Sequence, residues 1–102
     1  MINITLICAA GMSTSMLMMK MRDSAKKKSL EVNILAMSET SFETYKGITD
    51  VLLIAPQISF LEDEIRTKYE PLGMKVLLIQ MVDYGMMNGE KVLNTALSAL
   101  NK

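Results

Sequence analysis

The sequence predicts an α/β fold, a single domain over residues 1–102 in which a four-stranded parallel sheet lies between helices on both faces. Two observations predict it. Four apolar runs alternate with segments of helical character, and strands that alternate with helices in so short a chain imply parallel pairing through right-handed crossovers. The third and fourth runs are apolar at nearly every position, as expected of strands covered on both faces. A chain of 102 residues is long enough for one core and has no room for a second.

The strands are expected at residues 2–7, 32–37, 51–55 and 76–80. The first helix is expected over 13–28, where Leu17, Met18, Met21 and Ala25 fall on one side of a helical wheel. A short second helix is expected near 40–45, with Thr40 and Glu43 spaced as a capping box and Gly47 as its stop. The third, over 59–70, has Ser59 and Glu62 in the same spacing, apolar Phe60, Leu61 and Ile65, and Pro71 and Gly73 to end it. The last, near 88–100, carries Val92, Leu93, Ala96, Leu97 and Leu100 at three-and-four spacing.

Composition excludes several function classes. Eleven acidic residues balance eleven basic ones, so no nucleic-acid partner is expected, because such binding rests on neutralising phosphates. The run Lys26-Lys27-Lys28 falls at the end of the first helix, where cations suit the dipole. Histidine is absent and cysteine occurs once, which removes histidine acid-base chemistry, cysteine-rich metal sites and internal disulfides; no metal and no cofactor are expected. With no leader pattern and no membrane-length apolar stretch, a soluble, cytoplasmic protein is expected.

Any nucleophile is therefore Cys8, a hydroxyl, a carboxylate or a lysine. A lone cysteine ending a strand is ordinarily a small buried hydrophobe. Here the residues that follow it point to chemistry. Ala9, Ala10 and Gly11 let a backbone approach an anion, Met12 continues the loop, and Ser13, Thr14 and Ser15 supply hydroxyls at a helix start. The amides of a first helical turn are unpaired and sit at the positive end of the dipole, so they hold phosphate and favour a thiolate.

The loop differs from familiar phosphate cradles in informative ways. It lacks the lysine of a Walker A loop and the three spaced glycines of a dinucleotide fingerprint. Cysteine phosphatases place an arginine six positions after the cysteine, where its guanidinium clamps the phosphoryl oxygens; here that position is Thr14, followed by Ser15. Such a site has lost a major stabiliser of P–S hydrolysis. It can still accept a phosphoryl group and keep it for a partner, since loose phosphoryl-transfer transition states need mainly positioning and charge stabilisation.

Three segments, ITLICAAGMSTS at 4–15, DVLLIAPQ at 50–57 and DYGMMNGEKVL at 83–93, resemble the enzyme IIB domains of the bacterial sugar phosphotransferase system, in the lactose/cellobiose/chitobiose class. The resemblance covers the whole chain. It implies a sheet in the order 2-1-3-4, similar to low-molecular-weight tyrosine phosphatases. It further implies that Cys8 accepts a phosphoryl group from phosphohistidine of enzyme IIA, with Ala9, Ala10, Gly11, Met12, Ser13, Thr14 and Ser15 wrapping that group. The acceptor it implies is a sugar entering through the membrane permease enzyme IIC, which holds the sugar pocket. A small neutral domain that meets two partners in turn is expected to be a monomer.

Two other readings stay open on the residues alone. One is a low-molecular-weight phosphatase or arsenate-reductase-like enzyme, with Asp83 as leaving-group acid, although a carboxylate before Gly85 ordinarily shapes a turn. The other is a regulatory module that binds an anion without covalent chemistry. Pro56, Gln57, Tyr84 and Met86 join the site by topology only. Among eleven methionines, Met18 and Met21 fit the core, while Met12, Met16 and Met19 share a helix side with Lys20, Asp23 and Lys27 and are expected to form an adaptable contact surface. Full burial of those three would exclude it.

Overall fold

The structure, a computed structural model, describes residues 1–9 and 12–100, with Met12 and Ser13 described by their backbone alone. Four parallel strands, β1 (Ile2–Cys8), β2 (Val32–Ser38), β3 (Val51–Ile54) and β4 (Lys75–Leu78), form one sheet in the order β2-β1-β3-β4. The helices are α1 (Met12–Lys27), α2 (Glu39–Glu43), α3 (Glu62–Tyr69), α4 (Met81–Gly85) and α5 (Gly89–Leu100). This is the α/β architecture and strand order that the sequence and its resemblance imply. No helix among the described residues is long and apolar enough to cross a membrane.

Strand alternation divides the core in two. Ile4, Leu6 and Cys8 of β1 pack with Val51, Leu53 and Ala55 against Leu17 and Met21 of α1 and Val92, Leu93 and Ala96 of α5. On the other face Ile7, Leu52, Ile54 and Val76 pack with Phe42 of α2, Ile58 and, from α3, Ile65. Each fully buried leucine or isoleucine contributes about 1.5–3 kcal/mol, so both faces of the central strands are strongly fixed. Thr5, a buried polar residue at the centre of β1, is satisfied by the Thr49 hydroxyl at 2.8 Å.

Helix ends follow their chemistry with some departures from expectation. The last turn of α1 closes with Leu30 N–H donating to Ala25 O and Ser29 N–H to Lys26 O, and Ser29 takes φ 55° where glycine is usual. The cap of α2 is Ser38, not Thr40: Ser38 stays extended and its hydroxyl accepts from Ser41 N–H at 3.1 Å. Gly47 has no positive φ and does not end α2, which stops at Thr44.

The Ser59/Glu62 box does not form either. Pro56 is pre-set for the first position of a helical turn, so the chain winds early into a 3-10 segment, Pro56–Leu61, before α3 begins at Glu62. Gly73, at φ 95°, closes a second 3-10 turn, Glu70–Leu72, in keeping with its expected role as a stop.

β4 stops at Leu78, two residues short of the expected 76–80, and the stretch between it and the last helix, for which no element is expected, contains α4. Met87, with φ 51°, then turns the chain sharply into α5, whose cap is Asn88: its side-chain oxygen accepts from Lys91 N–H at 3.2 Å.

Gly89 sits where α5 meets α1. A Cβ there would lie 2.5 Å from the carbonyl carbon of Lys20 and 2.6 Å from the amide nitrogen of Met21, both rigid backbone. Gly89→Ala is therefore expected to destabilise the fold by about 1–3 kcal/mol as the two helices separate. An unchanged urea midpoint would contradict this close approach.

Candidate functional site

Cys8 is the last residue of the central strand β1. It pairs with Ser38 on the β2 side, while on the β3 side Ala55 N–H donates to Ile7 O at 2.9 Å. The thiol is thus fixed at the carboxyl edge of the sheet, where α/β folds bind ligands. The segments that follow β2, β3 and β4, namely α2 after Ser38, the 3-10 turn from Pro56 and helix α4, all begin at this edge of the parallel sheet.

The cysteine is buried, with 1% of the residue exposed, and its side chain belongs to the cluster between the sheet and helices α1 and α5. Ala9 is already exposed, so the sulfur lies one residue beneath the surface. It contacts Thr14: Sγ and Oγ1 are 3.4 Å apart, and Thr14 is fully buried on the second residue after the start of α1. The position that holds an arginine in cysteine phosphatases therefore holds a hydroxyl in contact with the sulfur. Ser15 follows it, half-buried.

Ala10 and Gly11 of the expected cradle lie outside the described residues, as do the side chains of Met12 and Ser13. What the described residues establish is the electrostatic setting of α1. Its first turn carries no acidic residue and its last turn carries Lys26 and Lys27. The helix dipole thus meets no carboxylate from its own first turn near Cys8, and sixteen residues of aligned peptide units present their positive end there.

Neither arginine of the chain reaches the cysteine. Arg22 Nε donates to Ile34 O at 3.0 Å in the middle of β2. Arg66 is held by Glu62 at 2.9 Å, Glu70 at 2.8 Å and the Val76 carbonyl.

Asp83, the candidate acid, lies in α4 and pairs with Lys91 Nζ at 3.1 Å, tying α4 to α5. Its main-chain oxygen also accepts from Asn88 N–H at 2.9 Å, so the residue is engaged in the α4–α5 turn. The neighbouring Tyr84 packs in the same apolar cluster as Cys8. Pro56 is half-buried and Gln57 is exposed, while Met86 is exposed and lines a cleft with Lys20, Asp23 and Lys27 of α1 rather than the surroundings of Cys8.

The methionine surface is partly described: Met16 and Met19 are 61% and 60% exposed, and the side chain of Met12 lies outside the described residues. Phe60, expected among the apolar residues of α3, is instead 78% exposed, because the 3-10 winding from Pro56 rotates it outward. Met81 and Val82, which follow the end of β4, are likewise 74% and 61% exposed, apolar surface that periodicity does not signal.

A family model described as "PTS system, Lactose/Cellobiose specific IIB subunit" matches residues 3–95. The chain is 41% identical over 103 residues to the PTS system galactose-specific EIIB component of Lactococcus lactis subsp. cremoris, covering 96% of this chain and 95% of that protein. It is 36% identical over 97 residues to the oligo-beta-mannoside-specific EIIB component of Bacillus subtilis, covering 95% and 94%. The solution structure of the cellobiose-specific phosphotransferase IIB component from Borrelia burgdorferi superposes with a TM-score of 0.79 at 40% identity, over 98% of this chain and 92% of that one.

Burial of Cys8 has a direct chemical consequence. Small thiol reagents are expected to modify the native protein at least about tenfold more slowly than the urea-unfolded chain, because attack needs an accessible sulfur. Equal rates in the two states would contradict the position of the side chain.

Proposed function

Because the chain belongs to the lactose/cellobiose-specific IIB family of the phosphotransferase system, it is a sugar phosphotransferase component and a phosphoryl carrier for that sugar class, and we propose that Cys8 is the carrying residue. The observation that carries the assignment is the sulfur itself. It is the one thiol in a chain without histidine, it ends the central strand, and it touches the Thr14 hydroxyl beside the amino end of α1.

The donor in this reading is phosphohistidine on enzyme IIA. The Cys8 thiolate attacks the phosphorus in line with the N–P bond, so the S–P bond forms as the imidazole nitrogen leaves with its electron pair. In the second half-reaction a hydroxyl of the sugar held by the permease enzyme IIC attacks the same phosphorus. The S–P bond breaks with its electron pair on sulfur, which restores the thiolate, and the hydroxyl proton passes to solvent. The protein supplies position and charge: the acid-free start of α1 faces the added negative charge, and Thr14 Oγ1 holds the sulfur at the end of β1. Amides of the loop from Ala9 to Ser15, including Ala10, Gly11, Met12 and Ser13, complete the cradle in this proposal.

The same geometry favours a carrier over a phosphatase. Hydrolysis through a phosphocysteine gains from a guanidinium that follows the phosphoryl oxygens into the transition state. Both arginines here are committed to carbonyls and carboxylates elsewhere, and Asp83 is committed to Lys91. A transferred group would therefore be held without a clamp or an acid to speed its loss to water.

Incubation with phosphorylated enzyme IIA is expected to add the mass of one PO3 unit to the Cys8 peptide, and Cys8→Ser is expected to accept none that can be passed on. Labelling at another residue, or turnover of a chromogenic aryl phosphate by the wild type, would remove the carrier reading. Thr14→Val keeps the shape and removes the hydroxyl; phosphoryl transfer to Cys8 is expected to slow roughly tenfold or more, the scale of a hydrogen bond to a charged group. An unchanged single-turnover rate would show that the hydroxyl has no part in transfer.

A further inference from the structure

Two side-chain polar atoms among the described residues are buried without a hydrogen-bond partner, Ser24 Oγ and Tyr84 Oη. Their situations differ. Ser24 is a partly exposed residue on α1 that lines an open cleft of about 420 Å3 with Lys20, Asp23 and Lys27. Tyr84 is 8% exposed, and its ring is held in the cluster that contains Cys8, Leu17, Ala55 and Ile79. A phenol has no rotation of its ring axis that moves the oxygen away, so its isolation is built into the fold.

A buried hydroxyl without a partner is uncommon, because the group loses its hydration and gains nothing. Phenylalanine would fill the same space without that loss. The rest of α4 is well satisfied: Asp83 pairs with Lys91, Tyr84 N–H donates to Gln80 O at 3.0 Å, and Tyr84 O accepts from Met87 N–H at 3.1 Å. The phenol is left over, and it stands on the helix that follows β4 at the same sheet edge as the sulfur.

The cluster that the two residues share supports a connection. Ala55 N–H donates to Ile7 O and Ile79 N–H donates to Ile54 O, so the chain runs in step from the end of β1 across β3 to the end of β4. Cys8, Ala55 and Ile79 lie at the ends of successive strands at that level, and all three pack in one cluster with Tyr84.

We propose that Tyr84 is a positioning residue for the phosphorylated form: its hydroxyl acquires its partner when Cys8 carries a phosphoryl group, donating a hydrogen bond to a phosphoryl oxygen. The proposal rests on the phosphocysteine reading above. It adds a donor that is absent from the loop of Ala9 to Ser15 and that remains idle in the unphosphorylated protein. No covalent bond is made or broken at Tyr84.

The consequence is a difference between two states of one variant. In unphosphorylated Tyr84→Phe the lost hydroxyl had no partner, so the melting temperature is expected to equal or exceed that of the wild type. In the phosphorylated form a charge-assisted hydrogen bond is missing. The equilibrium for transfer from phosphorylated enzyme IIA of the lactose/cellobiose class, read by intact mass after mixing to completion, is expected to lie roughly tenfold further toward the donor. The 31P resonance of the phosphocysteine is expected to move as well.

A transfer equilibrium within about twofold of the wild type and an unmoved 31P resonance would overturn the proposal while leaving the carrier reading intact. A melting-temperature loss equal in both forms would assign Tyr84 a packing role only, again overturning it. Failure of the wild type itself to take label at Cys8 would remove both readings together.

Discussion

The placement of one sulfur depends on the double pairing of β1. That strand is hydrogen-bonded to β2 along its whole length, from Ile2 opposite Val32 to Cys8 opposite Ser38, and to β3 from Ile4 opposite Val51 to Ile7 opposite Ile54. A slip of one residue against either neighbour would turn every side chain of β1 to the opposite face and move Ile4 and Leu6 out of the α1/α5 cluster. Register is therefore fixed by core burial along the strand, and the position of Cys8 follows from it. The sulfur inherits the precision of its position from the apolar residues of the strand.

Charge is distributed to suit the same point. Zero formal charge overall conceals a polar arrangement along α1, which starts without carboxylates beside Cys8 and ends on lysines. Lys28 continues this end of the helix into an ion pair with Glu90 at 3.3 Å and a hydrogen bond to Asn94 at 3.0 Å, so the basic run fastens α1 to α5. Both contacts lie at the surface and add little stability. Their effect is orientation: with the close approach at Gly89, they hold the helix whose amino end faces the sulfur.

Much of the fold is legible because its signals are redundant. Each strand is an apolar run, and β1 ends on Cys8, the proposed carrying residue, where the chain changes from apolar to small residues. The spacing of Val92, Leu93 and Ala96 marks α5, and all three are buried. Local rules fail where two of them compete. Ser38 and Thr40 are both good caps, and the end of β2 decides for Ser38, which is already extended. Pro56 and Ser59 both announce a helix start, and the proline acts three residues earlier, turning Phe60 to solvent. Helix α4 has no side-chain cap at Gln80 and only five residues, so nothing in the sequence separates it from a loop. The isolation of the Tyr84 hydroxyl is a property of packed neighbours from several elements, which no linear pattern encodes.

Burial of Cys8 sharpens the distinction between a carrier and a hydrolase. A nucleophile that turns over a soluble substrate gains from an open pocket that admits substrate and water together. A carrier gains from the reverse, since its intermediate has to outlive the departure of one partner and the arrival of the next. The surroundings of Cys8 suit a carrier, because the residue lies beneath an exposed neighbour, inside an apolar cluster, with a hydroxyl and a helix start nearby and both arginines engaged elsewhere. The phosphoryl group would be stabilised by neutral donors and a dipole, which favour the bound state of the charge without the strong polarisation that a clamping guanidinium adds in the transition state. In that arrangement the selectivity between sugar and water comes from which nucleophile a docked partner delivers to the phosphorus, and a small chain with a single reactive sulfur is sufficient for its part.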